Sequence, residues 1–253
     1  MITKSDIIAD LHTHTIASKH AYSTIRENIE EAKKNGIKYL AITDHYLNDG
    51  TDIEKKNETA RIVYAERINY HEEDVIIIAG AEFNLNQSLY EPKKLLKLRW
   101  RPVGLHNWFV NTKNLTLEDV FELFKEASKN HNAFVHIERE LHKINNGKHG
   151  ESDDEIKELL KKIVLFAKEN NILLEVNESS LITNENGGAK RLEYWLNIAK
   201  ENGNLIYLGT DAHYYKEIGK FDNAIFLLNK INYPKELILN CNEKLLKEKL
   251  NFT

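Results

Sequence analysis

The sequence predicts an α/β chain built on a parallel sheet. Seven short apolar runs recur along its 253 residues. They are apolar throughout rather than alternating, which suits strands buried on both faces. Polar loops and segments of helical period separate them, so strand and helix alternate as βα units. Seven is also a number of strands that could close into a barrel.

The runs are IIADLH at 7–12, KYLAITDH at 38–45, VIIIAGAE at 75–82, PVGLH at 102–106, AFVH at 133–136, ILLEVNE at 172–178 and LIYLGTDAH at 205–213. The fourth follows Arg99-Trp100-Arg101, and its Pro102 lacks a ladder donor, so a short or irregular strand is expected. Ser23-Thr24 introduces a helix over IRENIEEAKKNG, with Gly36 as its stop. Thr116-x-x-Asp119 opens a second helix over 116–130 with a capping-box pattern. Between 153 and 170, Ile156, Leu159, Leu160, Ile163, Val164 and Ala167 recur at helical spacing. A fourth helix runs from about Ala189 to Glu201 and stops before Asn202-Gly203. No Gly/Ser/Pro linker or repeat divides the chain, so one domain over 1–253 is expected.

Composition narrows the function. A net charge of −4, from 35 basic and 39 acidic residues, disfavours a general nucleic-acid binder. The single cysteine, Cys241, allows no internal disulfide and no multi-cysteine zinc site. MITKSDIIADLH has no signal-peptide core and no long apolar run follows, so a cytoplasmic protein off the membrane is expected. A homo-oligomer stays open.

The runs end on chemistry. The first ends in His12, with His14 two residues on; the second in Asp44-His45; the third in Glu82; the fourth in His106; the fifth in His136; the seventh in Asp211-Ala-His213. In parallel barrels the active site lies at these C-terminal strand ends. The sixth run delivers Asn177-Glu178 instead. Imidazole with carboxylate suits zinc, manganese or iron. His-x-His on an extended segment turns both rings to one face. With His20, nine residues of ligand type converge: His12, His14, His20, His45, Glu82, His106, His136, Asp211 and His213. One ion cannot use nine and keep an open position, so two or three ions would share them, with Glu82 bridging. Of the other histidines, His71 falls in a charged helical segment and His131 at a helix exit, both as solvated surface residues, while His142 and His149 lie in a polar loop.

DLHTHT with SKHAYS, then AITDH, AGAEFNL, LEVNESS and LGTDAH, closely resembles the PHP (polymerase and histidinol phosphatase) family, in its stand-alone bacterial phosphatase branch, from Ile8 to about Ile231. The resemblance implies a distorted (β/α)7, TIM-like barrel with three divalent ions, zinc foremost, with manganese and iron as alternatives. It implies His12, His14, Glu82 and Asp211 on one ion, Glu82, His106 and His136 on a second, and His20, His45 and His213 on a third. A metal-bound hydroxide held by Glu82, His106 and His136 would be the nucleophile, with Asp10 and Asp44 orienting imidazoles from behind. The chain departs from the family in its loops: Ile137-Glu138-Arg139-Glu140 follows His136 where a proline is common, and Tyr46 stands where glycine is common.

No P-loop, G-x-S-x-G or nucleophilic cysteine context supports covalent catalysis. The expected activity is hydrolysis of a small phosphomonoester, because three divalent ions leave the pocket cationic in an acidic protein. Arg139 is the candidate phosphate clamp, against a surface ion pair with Glu138 or Glu140; Ser18 and Asn107 are weaker candidates for substrate contact. The basic segment Lys93–Arg101 is either a solvated helix face or a steering surface. Rivals are a phosphodiesterase or exonuclease acting on nucleic-acid ends, another hydrolase on a related metal barrel, and a metal-binding regulatory module without catalysis.

Overall fold

A computed structural model of the chain describes residues 1–46, 71–72, 74–85, 98–106, 112–147, 154–184 and 187–251. Its strands are β1 (Ala9–Asp10), β2 (Tyr39–Ile42), β3 (His71–Glu72), β4 (Val75–Ala79), β5 (Phe83–Asn84), β6 (Pro102–Gly104), β7 (Ala133–Phe134), β8 (Leu173–Asn177) and β9 (Ile206–Gly209). They form two sheets, in the orders β1-β2-β4-β3 and β5-β6-β7-β8-β9. Every pair is parallel except β3 with β4. The α/β class is as expected.

The ladder does not run round continuously: among the described residues the two sheets are not closed into the expected barrel by strand pairing. The third run, read as one strand over 75–82, is divided. β4 pairs in the first sheet and β5 in the second, and the chain crosses between them at Gly80–Glu82. Isolated parallel bridges join the sheets, Gly80 to Trp100 and His45 to Glu82 on one side, Thr13 to Ala212 on the other. A Cβ on Gly80 would sit 2.8 Å from the Trp100 carbonyl oxygen, so only glycine lets the two backbones approach this closely. At the far side Asn240 stitches β1 to β9. Its amide donates to the Ala9 and Leu208 carbonyls at 2.8 and 2.9 Å, and its oxygen accepts from Leu208 N at 2.7 Å.

The strands are buried on both faces, as their apolarity demands. In β2, Tyr39 and Ala41 join the inner cluster while Leu40 and Ile42 join the outer one beneath the helices. Trp100 and Tyr207 floor the inner cluster edge to face at 4.9 Å, and Trp100 Nε1 donates to the Leu11 carbonyl at 2.7 Å. Pro102 is the first residue of β6, where its missing N–H costs least.

The helices cover the outer faces, except the last, which packs Leu246 into the inner cluster. They are α1 (Ile25–Lys34), α2 (Leu117–Ala127), α3 (Asp154–Glu169), α4 (Glu178–Thr183), α5 (Gly188–Asn202), α6 (Asp222–Lys230) and α7 (Glu243–Lys249). Thr24 with Glu27, and Thr116 with Asp119, form reciprocal capping boxes at α1 and α2. The six apolar residues expected on one face of α3 are all buried. Among the described residues no helix is long and apolar enough to cross a membrane.

Two expectations about histidines change. His71 lies in strand β3, paired antiparallel with β4, rather than in a helix. His131 is not on the surface; it is 3% exposed, its ring lies 4.9 Å from that of Phe83, and its Nδ1 is 3.2 Å from the Arg101 carbonyl oxygen. Burial pushes its pKa from 6.5 down to about 4. Above the unfolded value neither state binds the proton and the full stability is present. As pH falls from 6.5 toward about 4 the unfolded chain takes up a proton that the folded chain refuses, so stability is lost, up to about 3 kcal/mol. Melting curves of chelator-treated protein across that window should therefore fall less steeply for His131→Gln than for wild type. Parallel curves would show that His131 does not set this slope.

Candidate metal centre

The nine residues expected from the strand ends come together at one rim. His12 and His14 leave β1 fully buried, and their Nε2 atoms lie 3.0 Å apart. Asp211 follows β9, with Oδ1 at 3.1 Å from His14 Nε2 and 3.5 Å from His12 Nε2. Glu82 sits at the centre, in the crossing between β4 and β5. Its Oε1 faces His136 Nε2 at 2.9 Å and His106 Nε2 at 3.1 Å. Its Oε2 faces His45 Nδ1 at 2.9 Å, His12 Nε2 at 3.4 Å and His14 Nε2 at 3.5 Å. His20 and His213 close the outer side, Nε2 to Nε2 at 2.8 Å.

The rings are held from behind. His12 Nδ1 meets Glu175 Oε1 at 2.6 Å, His106 Nδ1 meets Asn84 Oδ1 at 2.6 Å, and His213 Nδ1 meets the Asp211 carbonyl oxygen at 2.9 Å. With those oxygens accepting, each Nδ1 carries the proton and each Nε2 turns a lone pair into the cluster. His14 reaches its support through Ser18. The Ser18 hydroxyl lies 3.0 Å from His14 Nδ1, accepts from His45 N at 3.1 Å and donates to Asp44 Oδ1 at 2.6 Å.

This corrects two expectations. Ser18 is 1% exposed and braces His14 and His45 rather than meeting substrate. Asp10 orients backbone rather than an imidazole. It accepts from Thr210 N and Oγ1 at 3.1 and 2.7 Å, from Gly219 N at 3.0 Å and weakly from His12 N at 3.5 Å. Burial raises its pKa to about 6 against these donors. Asp44 accepts from the Ser18 hydroxyl, whose oxygen lies 3.0 Å from His14 Nδ1.

Burial alone would favour a neutral Glu82, but the His106, His12 and His45 rings overcome it and hold the carboxyl well below the usual range. Asp211 is likewise held down against burial by His12, His14 and Arg139. Burial, helped by His45, drops His14 to about 3, and burial drops His106 to about 4. His12 is the exception: burial opposes its charge, but Glu175, Glu82 and Asp211 raise its pKa well above the usual value, so carboxylates crowd a site that favours a cation. Glu82 Oε2 also accepts no hydrogen bond among the described residues although it is buried. An orphaned carboxylate oxygen amid ring nitrogens fits a divalent cation.

Ligand atoms cluster in three groups among the described residues: His14, His45 and His213; His12, His14 and Glu82; His45, Glu82 and His106. These overlap the sets implied by the resemblance without reproducing them, because His14 and His45 each stand between two groups. Two ligand-type residues sit in left-handed backbone, His136 at φ 30° and Asp211 at φ 57°, a conformation that costs about 1–3 kcal/mol for a non-glycine residue.

Arg139 points into the centre. Its Nη1 donates to Asp211 Oδ2 at 2.8 Å, so the surface pair with Glu138 or Glu140 is not its arrangement. Glu138 is instead fully buried and accepts from Trp195 Nε1 at 3.2 Å. Asn107, His149 and Lys93, Lys94 and Lys97 of the basic segment lie outside the described residues. Arg101 turns inward and donates to the Asn130 and Leu98 carbonyls. Sequence reasoning missed Glu175 and Asn84. The available signal for Glu175 was a lone carboxylate inside the apolar run ILLEVN.

A family model described as the PHP domain matches residues 10–179. A protein named a probable phosphatase from Caldanaerobacter subterraneus subsp. tengcongensis is 32% identical over 253 residues, covering 98% of this chain and 92% of the relative. Another from Clostridium acetobutylicum is 31% identical over 260 residues, covering 96% and 94%. The solved histidinol phosphate phosphatase of Lactococcus lactis subsp. lactis, complexed with zinc, L-histidinol and phosphate, superposes with a TM-score of 0.58 at 18% identity, covering 89% of this chain and 94% of that one. At that identity the likeness bears on the fold.

Proposed function

The chain belongs to the PHP domain family, and from that premise we propose that it is a metal-dependent phosphatase, acting as one domain on a small phosphomonoester. The observation that carries the proposal is Glu82, a single buried carboxylate whose two oxygens face different sets of imidazoles. That arrangement suits a ligand shared between two ions. Zinc is the leading ion, with manganese and iron compatible with the same donors.

His12, His14 and Asp211 would hold one ion with Glu82 Oε2, and His106 and His136 a second with Glu82 Oε1. His20, His45 and His213 would hold a third. Bound there, the ions would supply water activation at neutral pH and a positive field for phosphate oxygens. The chain's own residues do the rest. Glu175, Asn84 and Ser18 fix which ring nitrogen faces the centre. Arg139, one edge on Asp211, turns its remaining donors to the phosphate. The two relatives named as phosphatases support the activity. The alcohol and phosphate held by the Lactococcus protein are the two products of monoester hydrolysis, which supports the substrate class.

The test is metal analysis of the purified protein joined to a phosphate-release assay with a chelator arm. Two or more ions per chain and chelator-sensitive release from a small monoester are expected, with a short oligonucleotide cleaved at least tenfold more slowly. Fewer than two ions and no release under any divalent cation would overturn the proposal. Faster cleavage of the oligonucleotide would favour the nuclease reading.

A further inference from the structure

β8 supplies none of the nine ligand-type residues, yet it runs directly behind them. We infer that β8 is the strut of the metal centre: Glu175 is a positioning residue that fixes the ligating tautomer of His12, and with Asn177 it fixes the seats of His136 and Asp211. This rests on reading the nine residues as metal ligands.

Glu175 and Asn177 are 1% and 0% exposed. Strand alternation points both inward, with Val176 between them in the outer cluster. Both oxygens of Glu175 accept hydrogen bonds. Oε1 takes His12 Nδ1 at 2.6 Å; Oε2 takes His136 N at 3.0 Å and Asn177 Nδ2 at 3.0 Å. One carboxylate thus ties a ring on β1 to the backbone of a residue after β7. The His136 bond matters because that residue sits at φ 30°, a conformation that persists only where its surroundings enforce it.

Asn177 cannot turn its amide over. Its Oδ1 accepts from Ser180 N at 2.8 Å as the N-cap of α4, so Nδ2 must face the carboxylates. There it meets Glu175 Oε2 and, at 3.4 Å, Asp211 Oδ2. The strut therefore touches His12, His136 and Asp211, which belong to two of the three assigned ions.

The neighbouring strand is shaped around it. A Cβ on Gly209 would collide with Glu175 Oε1 and with His12 Cβ. Gly209 leaves the space in which the Glu175–His12 bond forms.

Glu175→Gln is the discriminating substitution because it keeps the volume. A carboxylate accepts on both sides, and an amide cannot. If the amide NH2 faces His12, Nδ1 must become the acceptor and the proton moves to Nε2, the atom turned toward the ion. If it faces His136 N, two donors meet in a buried site. Gly209→Ala crowds the same bond without altering a polar atom and should weaken the same site.

The experiment is zinc competition against a chromophoric chelator, with metal counts and with melting curves recorded in excess chelator. Glu175→Gln is expected to weaken the one or two zincs assigned to His12, His136 and Asp211 about 10–100-fold and to leave the zinc assigned to His20, His45 and His213 at wild-type affinity. Its zinc-free melting temperature should stay within about 3 °C of wild type. Wild-type affinity at every zinc would overturn the inference. So would uniform weakening at every zinc with a large fall in the zinc-free melting temperature, since Glu175 would then only support the fold. Wild-type protein that takes up no zinc, manganese or iron would instead overturn the reading of the site on which this rests.

Discussion

Glu82→Gln is expected to abolish phosphate release, lowering kcat/KM by about a thousandfold or more. The substitution keeps the size of a side chain that is 2% exposed, so packing is spared. What it removes is charge at the one point where two sets of imidazoles meet. Burial opposes the charge of Glu82, and the His106, His12 and His45 rings overcome that opposition, so the group is anionic in the folded protein at neutral pH. An amide can offer only one acceptor oxygen and must turn NH2 toward the rings on its other side. The two ions proposed to share this carboxylate would lose it together.

Stability should move the same way in metal-free protein. The His106, His12 and His45 rings hold Glu82 ionised against burial, so in chelator Glu82→Gln should melt at or below wild type. Zinc in large excess should stabilise wild type by about 4 kcal/mol at a thousand times its dissociation constant, and stabilise the variant far less. Loss of turnover with an unchanged zinc response would separate Glu82 from metal binding. Turnover within tenfold of wild type would remove it from the centre altogether.

How much of this was legible follows from where each residue gets its partners. The rim was readable because doubly buried strands leave unbroken apolar runs, and a run that ends in His, Asp or Glu puts that residue at a strand's C-terminal end. The capping box at α2 was readable because Thr116 and Asp119 lie within four residues. Glu175 was not readable. Inward and outward faces look alike in a strand buried on both sides, so a lone carboxylate in ILLEVN reads as an interruption until His12 is seen beside it.

The division of the third run was hidden for a similar reason. Gly80 and Ala81 continue its apolar character, and only the approach of Trp100 shows that the chain changes sheets. His131 follows Asn130 and precedes Asn132, a polar context locally, yet long-range packing on Phe83 buries it. Ser18 reads from the sequence as a weaker candidate for substrate contact. Its hydroxyl is consumed by Asp44, a residue 26 positions away.

Arg139→Ala is expected to lower kcat/KM about 10–100-fold, chiefly through a raised KM. The reasoning begins with its geometry. One Nη1 bond at 2.8 Å ties the guanidinium to Asp211 Oδ2, while Oδ1 of the same carboxylate faces His14. Burial would lower the pKa of Arg139, and Asp211 and Glu138 outweigh it, so the cation is held in place. Its side chain is 27% exposed, which leaves the other donors open to the mouth of the site. A charge-assisted bond to phosphate contributes about 1.5–3 kcal/mol, and that sets the size of the effect. Because substrate and transition state both carry the phosphate charge, most of the loss should appear as binding. Arg139→Lys should recover only part, since an ammonium keeps the charge and loses the planar fork. Zinc counts decide between two roles. Unchanged zinc with a raised KM places Arg139 on the phosphate. Lost zinc with a fallen kcat would mean that it acts by holding Asp211, and a change under threefold in kcat/KM would exclude both.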